Sequence, residues 1–143
     1  MLGPTDILIA ALLENGQIDR AALERAQRHA AEQGVTLSEA LVATRAITSR
    51  DLAIAMAVVC EVPFVDPAAY DIVLRNCERL PRALAESLTA FPLFVLDEAV
   101  IVGMADPLDL KAVDQLRAVL KSDVEPVLCE PGALKQLIER AYT

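Results

Sequence analysis

The chain is poor in the residues on which most catalytic and metal-binding sites depend. Tryptophan is absent, aromatic residues make up 3% of the chain, and His29 is the sole histidine. No second ligand-type side chain accompanies His29, so we interpret it as a surface residue and predict no metal site. The cysteines are odd in number and widely spaced, at Cys60, Cys77 and Cys129. This spacing excludes a disulfide framework and a metal knuckle, and it predicts reduced, mostly buried thiols.

Basic charge is also scarce. The formal net charge is −8, and acidic residues outnumber basic ones in both halves of the chain, by eight to five in residues 1–62 and by thirteen to eight in residues 63–143. Nucleic acids and anionic lipids bind proteins through clustered lysine and arginine. The composition therefore argues against both as partners.

Three further features are missing. No apolar run reaches the about 18 to 20 residues that a membrane span requires, and the N-terminus lacks a secretory pattern, so we expect a soluble cytoplasmic protein. The GxxxxGK[ST] phosphate loop is absent, which excludes ATP hydrolysis by these residues alone. The serines at positions 38, 49 and 87 have no histidine partner for nucleophilic catalysis. We predict a non-enzymatic chain without a cofactor.

What the chain does contain is an apolar pattern that occurs twice in its first 62 residues, at a constant offset of 29 positions. The matching pairs are Leu8 and Leu37, Leu12 and Leu41, Ile18 and Ile47, Leu23 and Leu52, and Ala26 and Ala55. A constant offset indicates one supersecondary unit used twice, and each copy buries its apolar face against the other. The repeat predicts a packed helical subdomain.

Helix start and stop signals divide this subdomain into two helical hairpins. Asp19 is placed to begin the second helix and Gly34 to end it. The four predicted helices run from Thr5 to Glu14, from Asp19 to about Gln33, from Thr36 to about Arg45, and from a Thr48 or Ser49 cap to about Val59.

Beyond Val62 the apolar residues fall into short β-branched runs, which are typical of strands. These runs are Phe64-Val65, Leu93 to Leu96, Val100 to Met104 and Val124 to Leu128, with Asp97-Glu98 as a hairpin turn. Helical segments are predicted at about Ile72 to Asn76, Pro81 to Leu88, Leu108 to Leu120 and Pro131 to Ala141, with both prolines in first-turn positions. The predicted fold class is α+β. A four-helix subdomain (1–62) from a duplicated hairpin precedes a small three-stranded α/β subdomain (63–143), whose sheet is covered by helices on one face.

Asp106 follows a predicted strand and precedes a predicted helix. Its carboxylate is placed to accept from the first-turn amides, and Pro107 is placed to start the helix. A catalytic carboxylate is the alternative, but the sequence supplies no histidine or lysine beside it. We predict a capping role.

Several short segments follow one another in the order and spacing of a known protein family. They are Leu52, Val62-Pro63-Phe64-Val65-Asp66, Leu80-Pro81, Met104-Ala105-Asp106-Pro107-Leu108-Asp109, Val124-Glu125-Pro126-Val127 and Ile138-Glu139-Arg140-Ala141-Tyr142. Together with the doubled helix pattern they resemble the N-terminal domain of the type II secretion and type IV pilus assembly ATPases, the GspE and PilB family, a domain also called MshEN. The resemblance covers nearly the whole chain.

Some members of this family bind cyclic di-GMP through the doubled motif, which has an Arg-Leu-Gly opening, a glycine before the second helix and a glutamine near its end. This chain keeps only Leu8, Leu37 and Gly16 of that pattern. The first opening is Ile7-Leu8-Ile9 and the second is Thr36-Leu37-Ser38, while Arg45 replaces the second glycine and Ala30 and Val59 the glutamines. The loss of two arginines argues against cyclic di-GMP. Arg45 is the residue that could supply a guanidinium from a new position.

Two functions from different classes remain open. The resemblance implies a non-catalytic targeting domain that docks on the cytoplasmic part of an inner-membrane platform protein, in contact with its own motor domain. The competing function is a module that senses cyclic di-GMP or another small ligand. A freestanding adaptor is a third, more general alternative. For docking, the large anchors available are Phe64, Phe91, Phe94 and Tyr70, although each is also needed for the core.

Overall fold

The computed structural model describes residues 3–143, which form two compact units that divide between Cys60 and Glu61. Each unit has its own hydrophobic core. No helix in the described part of the chain is long and apolar enough to cross a membrane. The subdomain limits 1–62 and 63–143 stay a prediction about independent folding, which circular dichroism of a 63–143 fragment tests.

The first unit consists of two helical hairpins. Its helices are α1 Pro4–Glu14, α2 Arg20–Gln33, α3 Leu37–Ala43 and α4 Ser49–Cys60. The predicted signals at the ends of α2 are confirmed, because Asp19 Oδ1 accepts from the Ala22 amide at 2.7 Å and Gly34 ends the helix with φ +65°. Thr48 Oγ1 accepts from the Asp51 amide at 3.1 Å, so Thr48 caps α4 at the position 29 residues after Asp19.

The repeated apolar positions form the core of this unit. Leu12 and Leu41 are both fully buried, and Ile18 and Ile47 are buried to nearly the same extent. Leu23, Leu52 and Ala55 pack on the same cluster. The two copies therefore bury equivalent faces, as the constant offset predicts.

The second unit is a three-stranded sheet with helices. Its strands are β1 Ala90–Val95, β2 Ala99–Met104 and β3 Asp123–Leu128, its α-helices are α5 Arg82–Leu88, α6 Leu110–Leu120 and α7 Pro131–Ala141, and 3₁₀ turns occupy Pro67–Ala69 and Leu74–Arg79. The strand order is β1-β2-β3, with β1 antiparallel and β3 parallel to β2. Leu96 donates to the Ala99 carbonyl at 2.8 Å across the predicted Asp97-Glu98 turn. The α+β class is confirmed.

Burial in β2 shows how this sheet is covered. Consecutive strand residues point to opposite faces, yet Val102, Gly103 and Met104 are all buried. Both faces are therefore covered at this end of the strand, where the sequence predicts helices on one face. Gly103 is a close-packing position, because a Cβ there would lie 2.8 Å from Cys129 Sγ.

Several local predictions in the second unit are wrong. Asp106 does not cap α6; its Oδ1 accepts from the Leu108 amide at 3.2 Å within a turn, and Asp109 caps the helix by accepting from Ala112 at 3.1 Å. Pro81 is the N-cap of α5 and not a first-turn residue, whereas Pro131 does begin α7.

The predicted strand at Phe64-Val65 is reduced to a single bridge between Phe64 and Leu128. Pro63 has no amide hydrogen and Pro67 opens a 3₁₀ turn, so the two prolines limit the pairing. The helix predicted at about Ile72 to Asn76 is instead the 3₁₀ turn Leu74–Arg79.

Candidate functional site

The two interhelical turns of the first unit carry the ligand-motif positions, and their backbones are alike. The Gly16 amide donates to the Leu13 carbonyl at 3.2 Å, and 29 residues later the Arg45 amide donates to the Val42 carbonyl at 3.0 Å. Gly16 has φ +72° and Arg45 has φ +62°, so both adopt the left-handed conformation that favours glycine. The turn keeps its shape although the second copy has lost its glycine.

The leucines of the motif belong to the core. Leu8 is fully buried, and Leu37 is half-buried against the same apolar cluster. Packing explains why both leucines are present. It leaves Leu8 no surface that a ligand could reach, and it leaves Leu37 only part of its surface.

The polar openings of the motif are engaged locally. Thr36 Oγ1 accepts from the Glu39 amide at 3.1 Å, so its hydroxyl caps α3, and Ser38 lies half-buried in the first turn of that helix. In the first copy α1 already begins at Pro4, and the Ile7 amide donates to the Gly3 carbonyl at 3.2 Å. That amide is therefore not available to a phosphate.

A concavity of about 550 Å³ lies at the two turns. Its lining residues are Gln17, Val42, Arg45, Ala46, Ile47, Thr48 and Asp51. It brings Arg45 together with Gln17, the neighbour of Gly16, but Leu8, Thr36, Leu37 and Ser38 are not part of it. Gln17 and Asp51 are not among the predicted site residues. The signal that could have identified Gln17 is its place beside Gly16 in the repeated turn. This lining contains one cation and one carboxylate, so it suits a single polar contact better than a doubly anionic ligand.

The second unit carries a different surface feature, a concavity of about 340 Å³ beside α7. Its lining residues are Pro67, Ala68, Tyr70, Asp71, Ile72, Leu74, Ala133, Gln136, Leu137 and Arg140. Tyr70 is 54% exposed and packs edge-on against Phe94, with ring centroids 5.5 Å apart. Of the four predicted anchors, Phe91 is buried in the core, Phe64 and Phe94 are half-buried, and Tyr70 is exposed.

Metal-binding and nucleophilic side chains are dispersed in the part of the chain that the structure describes. Residues 3–143 contain no group of three His, Cys, Asp or Glu side chains that could hold a metal ion. Cys129 is fully buried, and burial raises the pKa of its thiol to about 12, with a smaller contribution from the charge of Asp66. The thiol therefore stays protonated at neutral pH and is a poor nucleophile.

Comparison with known proteins identifies relatives of the whole chain. The family model of the MshEN domain matches residues 60–143. The type IV pilus assembly ATPase PilB of Myxococcus xanthus is 27% identical over 131 residues, which are 92% of this chain and 23% of that protein. The chain thus spans about a quarter of the length of this relative.

Two solved structures have the same fold. A structure of MshE with cyclic di-GMP has a TM-score of 0.78 at 24% identity and covers 94% of this chain and 98% of that one. The N-terminal domain of XpsE has a TM-score of 0.70 at 23% identity and covers 98% of this chain and 96% of that one. At these identities the likeness concerns the fold alone.

Proposed function

The chain belongs to the MshEN domain family, and on that premise we propose that it is a non-catalytic targeting domain of a bacterial type II secretion or type IV pilus assembly ATPase. In this proposal it docks on the cytoplasmic part of an inner-membrane platform protein and couples that docking to its own motor domain. It acts in the cytoplasm, at the inner membrane, through that protein partner and not through a span of its own.

One observation carries the proposal. The match to PilB covers nearly all of this chain but less than a quarter of PilB, which is the relation of one domain to a multidomain protein. The lack of a phosphate loop in the sequence agrees with a division of labour in which hydrolysis resides elsewhere in such a protein. A domain without catalytic groups contributes by binding.

The docking proposal is tested by co-purification. The 143-residue chain is mixed at about 50 µM with the cytoplasmic region of the platform protein from the same organism, and size-exclusion chromatography with light scattering gives the mass of the species. We expect a complex that weakens as salt rises from low to physiological concentration, because the chain is acidic. Separate elution of the two proteins at every salt concentration would overturn the docking proposal.

Cyclic di-GMP sensing is the second candidate, and the structure of MshE with cyclic di-GMP favours it. The residues of this chain support it less well. Ile7 and Thr36 stand where the family motif has arginine, and each lost charged hydrogen bond costs about 1.5 to 3 kcal/mol. Two such losses weaken binding by about two to four orders of magnitude.

Isothermal titration calorimetry decides between the candidates. We expect no binding heat when cyclic di-GMP is titrated into the chain at about 100 µM. Micromolar binding that is abolished in Arg45→Ala but retained in Arg28→Ala, an exposed arginine outside the concavity at the turns, would establish the sensing function and assign it to that concavity.

A further inference from the structure

An apolar surface flanked by acidic side chains lies at the tip of the β1–β2 hairpin in the second unit. We call it the hairpin surface. Its apolar members are Tyr70, Phe94 and Leu96, and its acidic members are Asp71, Asp97 and Glu98. Phe94 is half-buried and packs against the core, and the other five residues are exposed.

A ring contact and strand alternation bring the apolar members to one side of the hairpin. Tyr70 meets Phe94 edge-on at a ring-centroid distance of 5.5 Å and an interplanar angle of 76°. Leu96 directly follows β1, and its amide donates to the Ala99 carbonyl at 2.8 Å, so the hairpin pairing continues and strand alternation places Leu96 on the same face as Phe94. Tyr70 is 54% and Leu96 is 55% exposed. The result is an aromatic and aliphatic patch that is open to a partner.

The charges beside this patch are of one sign at the hairpin end. Asp71 follows Tyr70 in the chain, and Asp97 and Glu98 follow Leu96. Within residues 3–143, no ion pair is formed by any of these three carboxylates. Arg140 is the nearby cation, and it lies with Asp71 in the wall of the neighbouring concavity. Asp97 and Glu98 therefore present unneutralised negative charge at the hairpin tip, and Asp71 adds a carboxylate next to Tyr70.

The edge of the sheet is closed to an added strand at this point. Pro92 in β1 has no amide hydrogen to offer. The side-chain amide of Asn76 donates to the carbonyls of Pro92 at 3.1 Å and Leu93 at 3.3 Å, so both acceptors are occupied. Strand pairing is therefore blocked at Pro92 and Leu93, which favours docking through side chains.

We propose that the hairpin surface receives a basic amphipathic helix of a partner protein. Apolar side chains of that helix pack on Tyr70 and Leu96, and lysine or arginine on its flank meets the three carboxylates. A second copy of this chain fits less well, because it carries a net charge of −8, and an anionic membrane is repelled for the same reason. The partner is the platform protein if the proposed function is correct, and in that respect the inference rests on it.

The test uses an 18-residue Leu/Lys amphipathic helix as the probe and a Leu/Glu helix of the same pattern as its control. Each is titrated into the ¹⁵N-labelled 143-residue chain at physiological salt, and amide chemical shifts locate the contact. We expect the Leu/Lys helix to shift the amides of Tyr70, Asp71, Leu96, Asp97 and Glu98, and the Leu/Glu helix to shift none of them. Leu96→Ser combined with Asp97→Asn and Glu98→Gln should weaken binding at least tenfold.

Matched substitutions elsewhere separate a specific surface from general attraction to an acidic protein. Leu110→Ser removes an exposed leucine in α6, and Glu24→Gln with Glu32→Gln removes two exposed charges from α2. Neither variant should change the affinity more than twofold. Equal weakening by the hairpin and control variants, or shifts spread over both units, would overturn the proposal. So would shifts of Tyr70 and Leu96 that depend on protein concentration without peptide, since they would make a second copy the occupant.

The same variants distinguish this inference from the proposed function. If the platform protein binds the hairpin variant as tightly as the wild-type chain, the docking function stands and the hairpin surface is wrong. If the wild-type chain does not bind the platform protein but the Leu/Lys helix still maps to the hairpin surface, the surface stands and the platform proposal fails.

Discussion

Replacing Gly103 with alanine should destabilise the second unit by overpacking. A Cβ at this position would lie 2.8 Å from Cys129 Sγ, 3.0 Å from Leu93 Cδ1 and 3.2 Å from Leu134 Cδ2. Gly103 is in β2, the central strand, and Cys129 and Leu134 are fully buried. None of the three neighbours can move without displacing other core atoms.

The size of the effect follows from two opposing contributions. An extra methyl in a packed core costs about 1 to 3 kcal/mol, and replacing glycine reduces the entropy of the unfolded chain, which offsets about 0.4 to 1 kcal/mol. The two ranges together give a net loss in free energy of unfolding of about 0 to 2.6 kcal/mol, and their central values give about 1.3 kcal/mol. With a urea m-value of about 2 kcal/mol/M, the central value lowers the urea midpoint by about 0.6 M.

Tyrosine emission is the suitable signal for this measurement. The chain has no tryptophan, and both of its tyrosines, Tyr70 and Tyr142, lie in the second unit. A urea titration followed by tyrosine emission therefore reports on the unit that contains Gly103. Far-UV circular dichroism of the folded variant shows whether the substitution has changed the native structure.

A double-mutant cycle with Cys129→Ala identifies the cause. Removing Sγ eliminates the shortest of the three contacts, so Gly103→Ala should cost about 0.5 to 1 kcal/mol less in the Cys129→Ala background than in the wild type. Strictly additive free energies would refute the overpacking argument, as would a Gly103→Ala variant as stable as the parent.

Three further predictions concern the turns, caps and C-terminus. Arg45→Gly should stabilise the chain by about 1 kcal/mol and Gly16→Ala should destabilise it by a similar amount, because both positions have positive φ. Urea denaturation followed by circular dichroism measures both changes, and a shift of the two urea midpoints in the same direction would contradict this. Asp109→Ala should cost about 1 kcal/mol through loss of the α6 cap, and the corresponding change in urea midpoint is the measurement. Tyr142→Phe should cost about 1 kcal/mol, because the phenol donates to the Leu80 carbonyl at 2.6 Å. Burial, with a smaller contribution from Cys77, raises the pKa of Tyr142 from 10.0 to about 12. The stability due to the neutral phenol is therefore complete below pH 10 and lost as the pH rises towards 12. Urea midpoints measured between pH 9 and 12 should fall less in Tyr142→Phe than in the wild type.

The first unit could be predicted closely because its signals are local. Asp19 and Gly34 act within one helical turn of their own positions, and both do what the sequence predicts. The repeat adds an internal check, since Ile18 and Ile47 must be buried together if the two copies pack on each other. The family resemblance is confirmed as well, through a match that covers the second unit, over residues 60–143.

The errors in the second unit arise where two local solutions are nearly equivalent. Asp106 and Asp109 are both good cap residues, three positions apart, and the Asp109 amide donates back to the Asp106 carbonyl at 3.3 Å in a turn that delays the helix. The buried face of α6, with Ala112 and Leu116, is the same whichever residue begins the helix. Apolar periodicity therefore cannot choose between the two starts.

The candidate surfaces are harder to predict because they depend on tertiary contacts. Gln17 and Arg45 line one concavity although they are far apart in sequence. Tyr70 and Phe94 likewise meet only because the segment before the 3₁₀ turn Leu74–Arg79 packs against β1. A pattern read along the chain detects each residue but not the pair.

The turn at Arg45 shows that fold and ligand chemistry are separable in this domain. The second turn keeps the backbone hydrogen bonds and the positive φ of the first, so the loss of glycine has not altered the scaffold. What has changed is the set of polar groups at the motif, where Ile7 and Thr36 replace arginine and Thr36 serves as a helix cap. Packing accounts for Leu8 and Leu37, and the positive φ of the turn accounts for Gly16, without reference to a ligand. The three motif residues that remain in this chain are therefore an argument about its fold, and they are not by themselves an argument for a ligand.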